Sequence, residues 1–166
     1  MTPKELAKSG SEHAQQRALF AWSNMACRYG KYIANYYNEF GAMPPGFDKD
    51  NPNQYLDKPI PELKWLHAIH NQGHGDKIRG AIAKAEGVKT GIWDIFLPVV
   101  RSRKPEYNPT PLTYNGLYIE MKVGNNKLTK EQIEFQTFGE IQGYKFVVCY
   151  TWEDARDAII KYLGLN

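Results

Sequence analysis

The stretch from Leu117 to Tyr150 restricts this chain more than any other. Leu117 to Val123 alternates apolar and polar side chains and reads as a strand. A Gly124-Asn125-Asn126 turn follows, and then Thr129-Lys130-Glu131-Gln132. That Thr-x-x-Gln spacing is a capping box, and it opens a helix running to Gln142 with Gly143 at its end. Tyr144 to Tyr150 is then a run of aromatic and β-branched residues suited to a strand. Strand, helix, strand is a crossover, which joins parallel strands of one sheet and is almost always right-handed. A chain built around such a unit folds as a sheet with helices laid against it.

The remainder agrees with that frame. Ser9 and Ser11 are candidate caps for a helix over 11–30, where Ala14, Ala18, Leu19, Trp22, Met25 and Ala26 recur at helical spacing. Gly30 is a candidate stop, with Tyr32 to Phe40 extending or restarting the helix. Gly41 to Pro61, with Pro44-Pro45-Gly46 and Asn51-Pro52-Asn53, reads as a loop. Leu63 to His70 reads as a strand, Asp76 to Glu86 as a short helix closed by Gly87, and Ile92 to Pro98 as a strand. Arg101 to Asn115, with Pro105, Pro109 and Pro111, reads as a second loop. Thr151 caps a final helix from Trp152 to Leu163, closed by Gly164. No repeat, low-complexity tract or boundary breaks the 166 residues, so one domain (1–166) of α/β class is expected, a mixed sheet flanked by helices.

Composition excludes several classes. Hydrophobic residues make up 42% and charged residues 23%, which argues against global disorder. The net charge of +3 permits nucleic-acid binding without arguing for it. Cys27 and Cys149 have neither metal-ligand spacing nor the density of a disulfide framework, so a cytoplasmic protein with reduced thiols is expected. Met1 to Glu5 leads into no apolar run, so no secretory signal is expected. The greasy stretch Ile95 to Val100 is far shorter than the about 18 residues of a membrane span.

Chemistry concentrates at the two inner strands. Alternation puts Tyr118, Glu120 and Lys122 on one strand face and Leu117, Ile119 and Met121 on the other. If the strand holding Asp94 is a neighbour, Asp94, Glu120 and Lys122 meet. Two carboxylates supply hard oxygens for Mg²⁺ or Mn²⁺, and an ammonium beside them can stabilise charge on phosphate. Glu-x-Lys is common in strands, and the plainer alternative is an exposed sheet face with ordinary charges. Ser9 and Glu12 have capping-box spacing, as do Thr129 and Gln132, so Glu12 and Gln132 have structural readings as well. His67, His70 and His74 would suit a transition metal on a helix, but Asn71 and the glycines among them spoil that geometry, leaving polar or DNA-facing histidines. Lys77, Arg79, Lys84 and Lys89, and then Arg101, Arg103 and Lys104, are either phosphate grips or solvated surface. Tyr32, Tyr36, Tyr37 and Phe40 have the spacing of core or subunit-contact packing.

Four segments carry a resemblance: Glu12 in the first helix, Gly87-Val88-Lys89-Thr90-Gly91-Ile92-Trp93-Asp94, Tyr118-Ile119-Glu120-Met121-Lys122, and Leu128-Thr129-Lys130-Glu131-Gln132. In order and spacing they resemble the VRR-NUC family, a branch of the PD-(D/E)xK nuclease superfamily, over residues 11–150. The resemblance implies a restriction-endonuclease-like αβββαβ core, with 31–62 as an elaboration and a C-terminal helix added. It implies Asp94 and Glu120 as metal ligands, the Met121 carbonyl as a further ligand, and Lys122 as the catalytic lysine. Glu12 would sit near the metals and help hold a second cation, and Gln132 would touch the catalytic water or a metal-bound residue. Mg²⁺ is the implied cofactor, with Mn²⁺ as substitute, and Asn71 matches an Asn near that place in the family. Stand-alone members of this size look like phage-type homodimers that cut branched DNA such as Holliday junctions. The implied protein is therefore a DNA endonuclease of the bacterial host cytoplasm, with no membrane partner. A flap, single-strand or sequence-specific nuclease on the same fold, or a non-catalytic nucleic-acid-binding module, are the alternatives. In one place the chain departs from the pattern: the family usually has proline immediately before the motif aspartate, and Trp93 stands there.

Overall fold

The computed structural model describes residues 1–51, 58–69, 77–103 and 112–165. Expectations at Pro52, Asn53, His70, Asn71, His74, Asp76, Lys104, Pro105, Pro109 and Pro111 fall outside these residues. In chain order the elements are α1 (Pro3–Leu6), α2 (Glu12–Tyr29), α3 (Lys31–Phe40), β1 (His67–Ala68), α4 (Lys77–Ala85), β2 (Ile95–Leu97), β3 (Arg101–Arg103), β4 (Leu112–Tyr114), β5 (Leu117–Met121), α5 (Lys130–Ile141), β6 (Lys145–Cys149) and α6 (Trp152–Leu163). They fall into two compact units that interleave along the chain. The first holds residues 1–66, 121–124 and 149–166, and the second holds 67–120 and 125–148.

The first unit is helical. Ala14, Ala18, Leu19, Trp22, Ser23 and Ala26 line one buried stripe of α2, around which α1, α3 and α6 pack. Polar groups fix the joints: the Trp22 indole N–H donates to Asn35 at 2.9 Å, and the Ile60 N–H donates to the Ala26 carbonyl at 3.1 Å. The Trp152 N–H, in the first turn of α6 where no intrahelical acceptor exists, donates to the Gln15 side chain at 2.8 Å. Of the two candidate caps of α2, Ser11 is the one used, accepting from the Ala14 N–H at 3.2 Å. Glu12 therefore stands at the first helical position and not at the position a capping box requires.

One expected strand is replaced. Over Leu63 to His70 the chain makes a 3₁₀ turn, Pro61–Trp65, and then only the short β1. Pro61 fixes φ at the start of the turn, and the buried residues, Leu63 and Leu66, lie three apart, the repeat of a 3₁₀ helix and not of a strand.

The second unit is built on a sheet of strand order β1-β2-β5-β6. β2 pairs antiparallel with β1 and with β5, in the register Ile95↔Ile119, Phe96↔Tyr118 and Leu97↔Leu117. Between β5 and β6, the Lys145 N–H donates to Gly116 and the Lys122 N–H to Cys149, each at 2.9 Å. The bonds advance in the same direction along both strands, so this pair is parallel, the sheet is mixed, and α5 is the crossover. Ile95, Leu97, Leu117 and Ile119 are fully buried on one face. On the other, the Tyr118 ring stacks on Phe96 at 4.3 Å and on Phe146 at 5.0 Å, and meets Phe135 of α5 edge-on at 5.1 Å. The segment expected as a second loop contains an antiparallel ribbon, β3–β4, in the register Arg101↔Tyr114, Ser102↔Thr113 and Arg103↔Leu112. Among the described residues, no helix is long and apolar enough to cross a membrane.

Candidate active site

The register of β2 and β5 fixes the first pair. Ile95 pairs with Ile119 at the end of β2, which brings the adjoining Asp94 backbone to the Glu120 end of β5. The Asp94 N–H reaches over to Glu120 Oε2 at 3.3 Å.

Burial separates these residues from ordinary strand charges. Glu120 is 1% exposed and Lys122 8%, and among the described residues they are the only charged side chains so deeply buried. Glu and Lys are almost never buried without compensation, because removing their charge from water is costly. The face expected to carry charge is therefore a covered face, roofed in the second unit by the first turn of α5 and the rings around Tyr118.

Gln132 makes that roof specific. It completes the capping box of α5: its Oε1 accepts from the Thr129 N–H at 2.9 Å, while the Thr129 hydroxyl accepts from the Gln132 N–H at 3.2 Å. The other end of the same amide, Nε2, donates to Glu120 Oε1. One Gln132 amide thus both caps α5 and touches the Glu120 carboxylate. Trp93 and Gly91 were not singled out from sequence as parts of the site. Trp93 is fully buried, lies edge-on to Phe146 at 4.9 Å, and donates its indole N–H to the Gln132 carbonyl at 3.1 Å. Gly91 has φ +85° and lies so close to the Glu131 backbone that a Cβ there would approach within 2.5–2.8 Å. The turn before Asp94 and the first turn of α5 therefore meet backbone to backbone.

Three other expected site residues belong to the first unit. Met121 is 1% exposed, and Lys122 continues the sheet through its N–H to Cys149. Glu12 is half-buried in the first turn of α2. His67 is exposed on β1, edge-on to Phe96 at 5.7 Å. Lys84 and Lys89 are exposed and Arg101 is half-buried. The aromatic stripe of α3 is not core: Tyr32 is 46% exposed and Phe40 64%, with Tyr36 between them at ring distances of 6.2 and 4.5 Å.

Tyr118, Glu131 and Cys149 have displaced proton affinities. Burial, and then the neighbouring Tyr144, raises the Tyr118 phenol. The Glu131 carboxyl is lowered, first by its own backbone N–H at the start of α5 and then by the Thr129 hydroxyl. Burial, followed by the charge of Asp154, pushes the Cys149 thiol up to about 12.

The donor set suits one class of metal better than another. Mg²⁺ keeps most of its waters and is held by one or two carboxylates, and the Asp94–Glu120 pair supplies that number.

No protein-family model matches the chain, and no curated protein matches it by sequence. Among solved structures, a VRR_NUC domain protein matches with a TM-score of 0.56 at 21% identity, covering 94% of this chain and 90% of that one. The chain therefore shares its fold, along nearly its whole length, with a VRR_NUC domain protein.

Proposed function

We propose that the chain is a divalent-metal-dependent endodeoxyribonuclease acting on branched DNA such as Holliday junctions. The observation that carries the proposal is the buried Glu120 carboxylate, which accepts from the Asp94 N–H on one oxygen and from the Gln132 amide on the other. The fold shared with a VRR_NUC domain protein supports the same reading. Asp94 and Glu120 would be the carboxylates that hold Mg²⁺ or Mn²⁺. When bound, the ion lowers the pKa of water and neutralises charge that develops on the phosphate. Gln132 keeps the Glu120 carboxylate in place, and Lys122 orients the attacking water or balances the phosphate charge. A homodimer would carry two such sites, matching the two symmetric cuts that a junction requires.

The test is purified protein against labelled four-way junction, flap, single strand and duplex, in Mg²⁺, Mn²⁺ and chelator. The junction should be cut in either metal and not in chelator. Asp94→Ala and Lys122→Ala should each lose at least about a hundredfold in rate. A loss below about tenfold in both variants would sink the mechanism.

A further inference from the structure

Trp93 takes no part in the chemistry above, yet it is buried against the group that grips Glu120. Its indole has one donor, and a buried indole N–H needs a partner. That partner is the main-chain carbonyl of Gln132, 3.1 Å away. Gln132 lies in the first turn of α5, where backbone N–H groups have no partner four residues back and a helix frays most easily. A tether to that turn from outside the helix fixes where the Gln132 side chain begins.

The connections close on themselves. Trp93 holds the Gln132 backbone, and the Gln132 amide holds Glu120 Oε1. Glu120 Oε2 accepts from the N–H of Asp94, which is joined to Trp93 by a single peptide bond. Each oxygen of the Glu120 carboxylate is therefore held by one of two groups, and Trp93 links those two groups to each other. All four residues lie in the second unit. We propose that Trp93 is a positioning residue that acts through Gln132 to set the Glu120 carboxylate. The catalytic consequence rests on the nuclease reading, whereas the coupling itself does not.

The test uses Trp93→Phe, which keeps a ring against Phe146 and removes the donor along with part of the indole's volume, together with Gln132→Ala and the double variant. In metal-free ¹⁵N spectra, Trp93→Phe should shift the side-chain amide signal of Gln132, and Gln132→Ala should shift the Trp93 indole signal. On junction DNA, Trp93→Phe should lower kcat by about ten- to a hundredfold, with KM unchanged. The double variant should be within about twofold of the worse single variant, because both changes break one chain of contacts. Direct titration with Mn²⁺ should show weaker binding in Trp93→Phe than in the wild type.

Losses that multiply in the double variant, or a Gln132 amide signal that Trp93→Phe leaves in place, would overturn the inference. If Trp93→Phe fails to fold, the indole signal in Gln132→Ala decides alone: unmoved, it refutes the coupling. A wild type that neither binds Mn²⁺ nor cuts would refute the nuclease reading, while the metal-free spectra still decide the coupling.

Discussion

Replacing Gly91 with alanine tests whether the close approach of two backbones sets the site. The added Cβ would lie 2.5 Å from the Glu131 Cβ, 2.6 Å from its carbonyl carbon and 2.8 Å from its oxygen. Ordinary contact begins at 3.4 Å, so the backbone of α5 or of the turn has to give by roughly 1 Å. Alanine at φ +85° adds about 1–2 kcal/mol of strain, and overpacking adds about 1–3 kcal/mol. The total of about 2–5 kcal/mol corresponds to a fall in Tm of roughly 4–20 °C for a chain of this size. Gly87→Ala is the control. Gly87 has φ +93° in the same loop, but nothing lies within 4 Å of its added Cβ. It should lose only the strain, roughly 2–8 °C in Tm. In cleavage assays below both melting points, Gly91→Ala should be slower by about a hundredfold, the effect of misplacing reacting groups by about an ångström. Gly87→Ala should keep its rate. Equal Tm losses in the two variants, or full activity in Gly91→Ala, would refute the reasoning.

Thr129→Ala removes the hydroxyl that accepts from the Gln132 N–H, so it should cost about 1 kcal/mol and also slow cleavage, while Thr129→Ser should retain both stability and rate. Raising the pH above the ordinary thiol value of 9.0 should destabilise the fold. Cys149 keeps its proton up to about 12 when folded, so the unfolded chain loses that proton first and binds fewer protons in this window. Stability then falls by at most about 1.4 kcal/mol per pH unit from this thiol, and Tyr118, also raised, adds a loss of the same sign above its ordinary 10.0. Urea unfolding of the wild type and Cys149→Ala across this range checks the difference in slope. Lys89 is exposed in the turn that leads to Asp94, and Lys89→Ala should reduce the salt dependence of DNA binding by about one phosphate contact. An unchanged slope would place Lys89 on solvated surface.

The elements best read from sequence are those whose ends are written locally. Thr129 with Gln132, and Thr151 with Gly164, fix the bounds of α5 and α6 within a few residues of each other, and the observed helices begin directly after those caps. The strand that holds Glu120 and the one that begins just after Asp94 are legible for a similar reason, since alternation is a local pattern. Burial is not local. Nothing within Glu120-Met121-Lys122 says that the charged face will be covered, because the cover comes from α5 and from rings spread over the chain. The role of Trp93 is hidden in the sequence because its partner carbonyl lies 39 residues away. The β3–β4 ribbon was hidden by proline and charge, which read as loop, and the 3₁₀ turn at Pro61 by an apolar run too short to show its period.

The Gln132 amide has one end on the cap of α5 and the other on Glu120. Order in the site and order in the helix are therefore thermodynamically linked. Each time the first turn of α5 opens, the Gln132 support of Glu120 opens with it, and any ligand that needs a fixed Glu120 draws the helix closed. The free energy of that local opening is then a property of the site. Backbone amides of the first turn that are held only by the cap, notably the Gln132 N–H, should exchange with solvent more slowly as such a ligand is added, by the factor that binding gives to the closed state. Hydrogen exchange at a helix terminus would thus measure occupancy of the carboxylates without any DNA being cut.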